Sequence, residues 1–232
     1  DIEMGTDTNG KTVDRSKGYE YYHLGNAYEQ AVRRGEISMA TVNEKAARVL
    51  RTIFRTAMAQ RKTFGTMCSQ AHYDLCRKVG QEGIVLLKNK KNSLPIDAER
   101  YGRILVVGEN AVRNMSEGGG SSELKTKFDI SPLQGLKAVY GDKIDFAQGY
   151  AAGRPMYARV DEVPAETQAR LKAEALKKAK DADLIIFIGG MNKNHQQDCE
   201  GGDRLTYDLS YGQNELIAEL AKIQPNIIAV MY

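Results

Sequence analysis

A chain of 232 residues has room for one large domain or for pieces of two. Its hydrophobic share of 42% supplies a core and its charged share of 27% a solvated surface, which excludes a disordered chain. The net charge of +3 arises from 33 basic and 30 acidic residues with no long single-sign block, so neither nucleic acid nor a membrane surface is an expected partner.

The opening "DIEMGTDTNG" lacks an initiator Met, a signal-peptide pattern and a capped element, as expected of a chain that starts inside a longer protein. The stretch "ISMATVNEKAARVLRTIFRTAM" places Val42, Ala46, Val49, Leu50, Ile53, Phe54 and Ala57 on one helical face. Thr41 with Glu44 can form a capping box there, and Ser38 is an earlier cap. Around "RKTFGTMCSQ" the periodicity fails, so a linker is expected at residues 63–70. From Ala71 a second helical face leads into the β-branched run "GIVLLKN", closed by "KNSLPI", where Pro95 argues for a turn or a sheet edge.

Beyond residue 100, short apolar runs alternate with amphipathic ones: "RILVVGEN", "SPLQGLKAVYG", "KIDFAQGY", "PAETQARLKAEALKKAKDA", "DLIIFIGG", "YGQNELIAELAKI" and "NIIAVMY". Strands buried on both faces read as continuous apolar runs, so this order predicts an α/β sandwich with a mostly parallel sheet and helices on both faces. The last run ends without a helix to cover it, and the domain is expected to be incomplete at that end. Cys68, Cys76 and Cys199 are odd in number and lack metal-ligand spacing; no disulfide framework is expected, and the compartment stays open. No run approaches the roughly 18 apolar residues of a membrane span.

Ligands of open parallel sheets gather outside the carboxyl ends of the strands, where two loops qualify. In "AVRNMSEGGGSSELK", Gly118, Gly119 and Gly120 permit backbone positions closed to other residues and let Ser121 and Ser122 approach a ligand; a plain flexible loop is the alternative. No phosphate-cradling glycine motif is present. The second loop, "DCEGGDRLTYDLSYGQ", holds Asp198, Glu200, Asp203 and Arg204. Crowded carboxyls raise the pKa of the least hydrated one, and a glutamate so tuned is a general acid. Arg204 is placed to pair with Asp203 and shape the loop. On the residues alone, a solvated acidic loop remains the other reading.

Taken together, these segments resemble glycoside hydrolase family 3, the two-domain β-glucosidases and β-xylosidases. "EGGDRLTYDLSYGQNELI" is similar to the family's EG-x-DR segment and the L-x-L-x-x-x-Q helix start after it. "VGQEGIVLLKNKKNSLPI" resembles the segment that opens the second domain, and "GENAVRNMSEGGGSSEL" its glycine-rich loop. "DIEMG" resembles the end of the last barrel strand, and "AYEQAVRRGEISMATVNEKAARVLR" the helices that follow.

The resemblance implies the last βα unit of a (β/α)8 barrel over residues 1–62, then most of an α/β sandwich over 71–232. It implies a retaining, exo-acting β-glycosidase, a β-glucosidase first, acting on small oligosaccharides or aryl and alkyl β-glycosides. Glu200 falls at the acid/base position, Ser121 with Ser122 as its neighbour at the sugar-binding serine, and Met4 at the pocket wall, with a packed core methionine as the alternative. The family's nucleophile, an Asp in an S-D-W segment, has no counterpart here, since the chain contains no Trp. The isolated chain is therefore expected to be inactive, with the remainder of its barrel as partner and no metal or cofactor. The resemblance also points to a periplasmic or secreted protein. "DLSYGQ" departs from the family by placing Ser and Tyr where Leu-Pro is common; the Gln keeps its register. His195 and Cys199 receive no role. The alternative is a noncatalytic carbohydrate-binding relative whose barrel has lost its Asp.

Overall fold

The structure is a computed structural model that describes residues 2, 22–56, 65–90, 92–113, 124, 126–153, 163–192 and 204–232. It divides into two compact units, Asp1–Leu75 and Cys76–Tyr232.

The first unit contains helices α1 (Asn26–Arg33) and α2 (Met39–Arg55), and the beginning of α3 (Gln70–Gly83). Ser38, and not Thr41, caps α2. Its backbone is extended, and its Oγ accepts from the Thr41 N–H at 3.1 Å. Thr41 thus lies inside the first turn, and Glu44, free of any capping duty, pairs with Arg48 one turn on. The expected apolar face of α2 is present, but no residue of the helix is buried; Phe54 is 69% exposed.

In the second unit, strands β1 (Ile104–Val107), β2 (Ile144–Ala147), β3 (Leu184–Gly189) and β4 (Ile227–Met231) form one sheet in the order β2-β1-β3-β4, parallel throughout. The chain belongs to the α/β class, as its alternating runs predict. All residues of β1 and β3 are buried, because helices cover both faces of the sheet. Helix α4 (Pro132–Tyr140) covers one face, where Leu133 joins Ile104, Val106, Ile186 and Ile188. Helices α5 (Ala165–Ala179) and α6 (Gln213–Ile223) cover the other, where Ala175, Ala179, Leu216 and Leu220 meet Leu105, Val107, Ile185 and Phe187. Successive strand residues point to opposite faces, which is why neighbours in "LIIFI" enter different cores. Each large side chain so buried stabilises the fold by roughly 1.5–3 kcal/mol.

The local signals agree with this layout. Ser131 caps α4, its Oγ accepting from the Gln134 N–H while the Gln134 side chain accepts from the Ser131 N–H, and Pro132 occupies the first turn. Asp183 accepts from the backbone N–H groups of Gly102 and Arg103 at 2.9 and 2.8 Å, which aligns the starts of β1 and β3. The run "GIVLLKN" is the exception: residues 84–89 form no strand, and Leu87 is 89% exposed. The loop after it is closed by Asn89, whose amide exchanges two hydrogen bonds with the Leu94 backbone at 2.8 and 3.1 Å. No helix among the described residues is long and apolar enough to cross a membrane.

Candidate active site

Because all four strands run the same way, their carboxyl ends share one edge, and the strand order reverses between β1 and β3. A crevice at such a reversal is where open α/β sheets bind ligands. Both loops singled out in the sequence leave the sheet at this point.

The chain exits β1 through Gly108, at φ +128°, where a Cβ atom would stand 2.0 Å from the Ile188 carbonyl oxygen. Only glycine lets β1 and β3 remain this close. Glu109 follows, half-sealed beneath the surface. It pairs with the Arg113 guanidinium at 3.2 Å and accepts from the Ala152 N–H, so the exits of β1 and β2 are joined. Burial pushes the Glu109 carboxyl above the usual carboxylate range, and Arg113 and the Ala152 N–H offset this only in part. Asn110, fully buried, donates from Nδ2 to the Met191 carbonyl at 3.1 Å and thereby joins the exits of β1 and β3.

Tyr150 lies beneath these exits. Its hydroxyl donates to the Ile188 carbonyl at 3.5 Å, and its ring stacks on Tyr211 with centroids 6.2 Å apart. Burial drives its pKa far upward, so it stays a neutral donor. Two glutamines complete the assembly. Gln168, in the first turn of α5, exchanges two hydrogen bonds with the Ala151 backbone at 3.0 and 2.6 Å. Gln213, the first residue of α6, does the same with Gly190 at 2.9 and 3.0 Å.

Glu200, Asp203, Ser121, Ser122, Gly118, Gly119, Gly120 and Met4 lie outside the described residues, as do Asp198, Cys199 and His195. Arg204 is described, with its guanidinium 5.5 Å from the centroid of the Tyr207 ring. The structure therefore defines the base from which the two candidate loops depart. A cavity of about 470 Å³ opens beside this base, between the first turns of α5 and α6, lined in part by Lys172, Tyr211 and Glu215.

Sequence reasoning did not single out Glu109, Asn110, Arg113, Tyr150 or Gln168. "GENA", directly after the first strand, was the available signal for Glu109 and Asn110. Tyr150 and Gln168 offered none, because their partners are distant in sequence.

The family model for the glycosyl hydrolase family 3 C-terminal domain matches residues 84–232. The chain belongs to glycosyl hydrolase family 3. Within the family, the β-glucosidase BoGH3A of Bacteroides ovatus is 55% identical over all of this chain and 32% of its own length. A β-xylosidase/α-L-arabinofuranosidase of Medicago sativa is 31% identical over 90% of the chain and 26% of its own length. The crystal structure of a family 3 β-glucosidase from Bifidobacterium adolescentis superposes with a TM-score of 0.68 at 28% identity, covering 89% of this chain and 28% of that one. The chain thus spans about a third or less of the length of these family 3 proteins.

Proposed function

We propose that this chain carries the acid/base half of a retaining, exo-acting β-glycosidase whose substrates are nonreducing-end β-glucosides, either small oligosaccharides or aryl and alkyl glucosides. In this reading residues 1–62 end a (β/α)8 barrel, 63–70 link, and 71–232 form most of the sandwich, with the remainder of the barrel as its partner. Glu200 protonates the glycosidic oxygen while an Asp carboxylate from outside this sequence attacks C1. The C1–O bond breaks as a glycosyl ester forms. Glu200, now a carboxylate, takes a proton from water, whose oxygen displaces the Asp at C1 and releases the sugar with retained configuration. Ser121, with Ser122 beside it, hydrogen-bonds the sugar from the glycine-rich loop, Met4 lines the pocket, and Asp203 and Arg204 shape the acid/base loop. No step calls for a metal or cofactor.

The observation that carries this reading is the segment "EGGDR", residues 200–204, on the connection that leaves β3 at the strand-order reversal. The names of the relatives support glucoside as the first substrate class.

In the full-length protein, Glu200→Ala should lower kcat/KM on cellobiose by on the order of 10²–10⁴. A dinitrophenyl glucoside, whose leaving group needs little protonation, should suffer far less. Added azide should restore its turnover by attacking the intermediate without a base. Near-normal cellobiose hydrolysis by Glu200→Ala, or azide rescue of Asp198→Ala instead, overturns the assignment. Glucoside binding without hydrolysis by the unaltered protein would favour a noncatalytic relative.

A further inference from the structure

The chain leaves β3 through Gly190 and Met191, and each of their four backbone polar groups has a defined partner. The Gly190 N–H donates to Gln213 Oε1 at 2.9 Å, and the Gly190 carbonyl accepts from Gln213 Nε2 at 3.0 Å. The Met191 N–H donates to the Tyr232 carbonyl at 3.2 Å, and the Met191 carbonyl accepts from Asn110 at 3.1 Å. Gly190 has φ +96°, and a Cβ atom there would meet the Tyr232 carbonyl oxygen at 2.5 Å, so the exit has no room to shift toward β4. Gln213 is fully buried, and both ends of its carboxamide are used. A planar amide paired with a peptide in this way copies one rung of a sheet ladder and fixes both separation and direction.

Gln213 is also where the connection returns. It opens α6, preceded by Gly212 and Tyr211 in left-handed conformations, with Tyr211 stacked on buried Tyr150. One side chain therefore joins the departure and the return of the connection that carries "EGGDR". A general acid must lie within hydrogen-bond reach of the oxygen it protonates, and a displacement of about 1 Å can cost on the order of 10²-fold in rate.

We propose that Gln213 is a positioning residue for the acid/base step: by clamping Gly190 it sets where the Glu200 connection begins and ends over the carboxyl edge of the sheet. This rests on the reading of Glu200 as the acid/base. The same device recurs in Gln168 and Ala151, on a connection that holds no catalytic candidate, and it supplies an internal control.

The test compares kcat/KM, which reports events through the first irreversible step, on cellobiose and on a dinitrophenyl glucoside in the full-length protein. Gln213→Ala should lose on the order of 10–100-fold on cellobiose and less than about 3-fold on the dinitrophenyl substrate, where proton donation matters little. Gln168→Ala should affect both substrates alike. Gln213→Glu, which keeps the shape and regains the donor to the Gly190 carbonyl when its carboxyl is neutral, should recover cellobiose activity as the pH falls, and it carries the test if the alanine variant does not fold. Equal losses on both substrates in the Gln213 variants, or the same split in Gln168→Ala, overturn the proposal while leaving the glycosidase reading intact. An unaltered protein that hydrolyses neither substrate overturns both.

Discussion

Two carboxylates illustrate how a single residue's surroundings set its pH response. For Glu109, burial outweighs Arg113 and the Ala152 N–H, so the folded protein holds its proton more tightly than the unfolded chain, whose reference value is 4.5. Its contribution is therefore fully present below that value and is lost as pH rises through the higher folded pKa. Glu109→Gln should flatten this part of the stability profile, as read by urea unfolding between about pH 4 and pH 7. Asp145 behaves in the opposite sense. Burial again pushes its carboxyl up, but hydrogen bonds from Lys178 and the Phe146 N–H, with the charges of Lys178 and Arg103, outweigh it and hold the group below its reference 3.8. That stability is present above the unfolded pKa and is lost as pH falls through the folded one. Asp145→Asn should cost about 0.5–1 kcal/mol near neutrality, since the pair is partly exposed. The difference from the unaltered protein should vanish in acid. Neither residue was legible as special in the sequence, because a raised or lowered pKa depends on neighbours the fold supplies.

The elements themselves were far more legible. The four apolar runs became four strands, and the three amphipathic runs between them became α4, α5 and α6, because strands covered on both faces read as continuous apolar runs while a period of 3.6 marks the core-facing side of a helix. One open choice was settled by the fold, and one local reading failed. Ser38 took the α2 cap because the chain enters the helix at Met39, ahead of Thr41. "GIVLLKN" has the residue types of a strand but no ladder, since residue type cannot supply a neighbouring strand. The cap on α4 gives a clean test at this scale. Ser131→Ala removes the acceptor for the Gln134 N–H and should cost about 1 kcal/mol, a loss of roughly 2–4 °C in the thermal midpoint of the sheet-containing unit.

At the scale of the whole molecule, the proposed reading gives this chain one of the two carboxyls that a retaining mechanism requires. Without the S-D-W aspartate there is no covalent step, so the purified 232-residue chain should show no aryl-glucoside turnover. Measurable turnover by a preparation free of full-length protein would reveal a nucleophile within this sequence. The candidate residues of the two loops, nearly all outside the described residues, were named by resemblance because their motifs are local, as in "EGGDR" and "GGGSS". The braces beneath them were not, since Asn110 and Met191 are 81 positions apart and Gln168 and Ala151 are 17 apart. Contacts at such separations leave no periodic trace in a single sequence.

The paired glutamine clamps also bear on how such a protein can change. A connection whose two ends are tied at the sheet can lengthen or shorten beyond the tie without disturbing strand register, and each doubling of its length adds only about 0.6 kcal/mol of closure entropy. On the proposed reading, changes between Gly190 and Gln213 would fall on the stretch that carries Glu200 and leave the register of the sheet in place. Grafting residues 193–203 of a family member with a different sugar preference between the intact Gly190 and Gln213 is the exchange this arrangement should tolerate best.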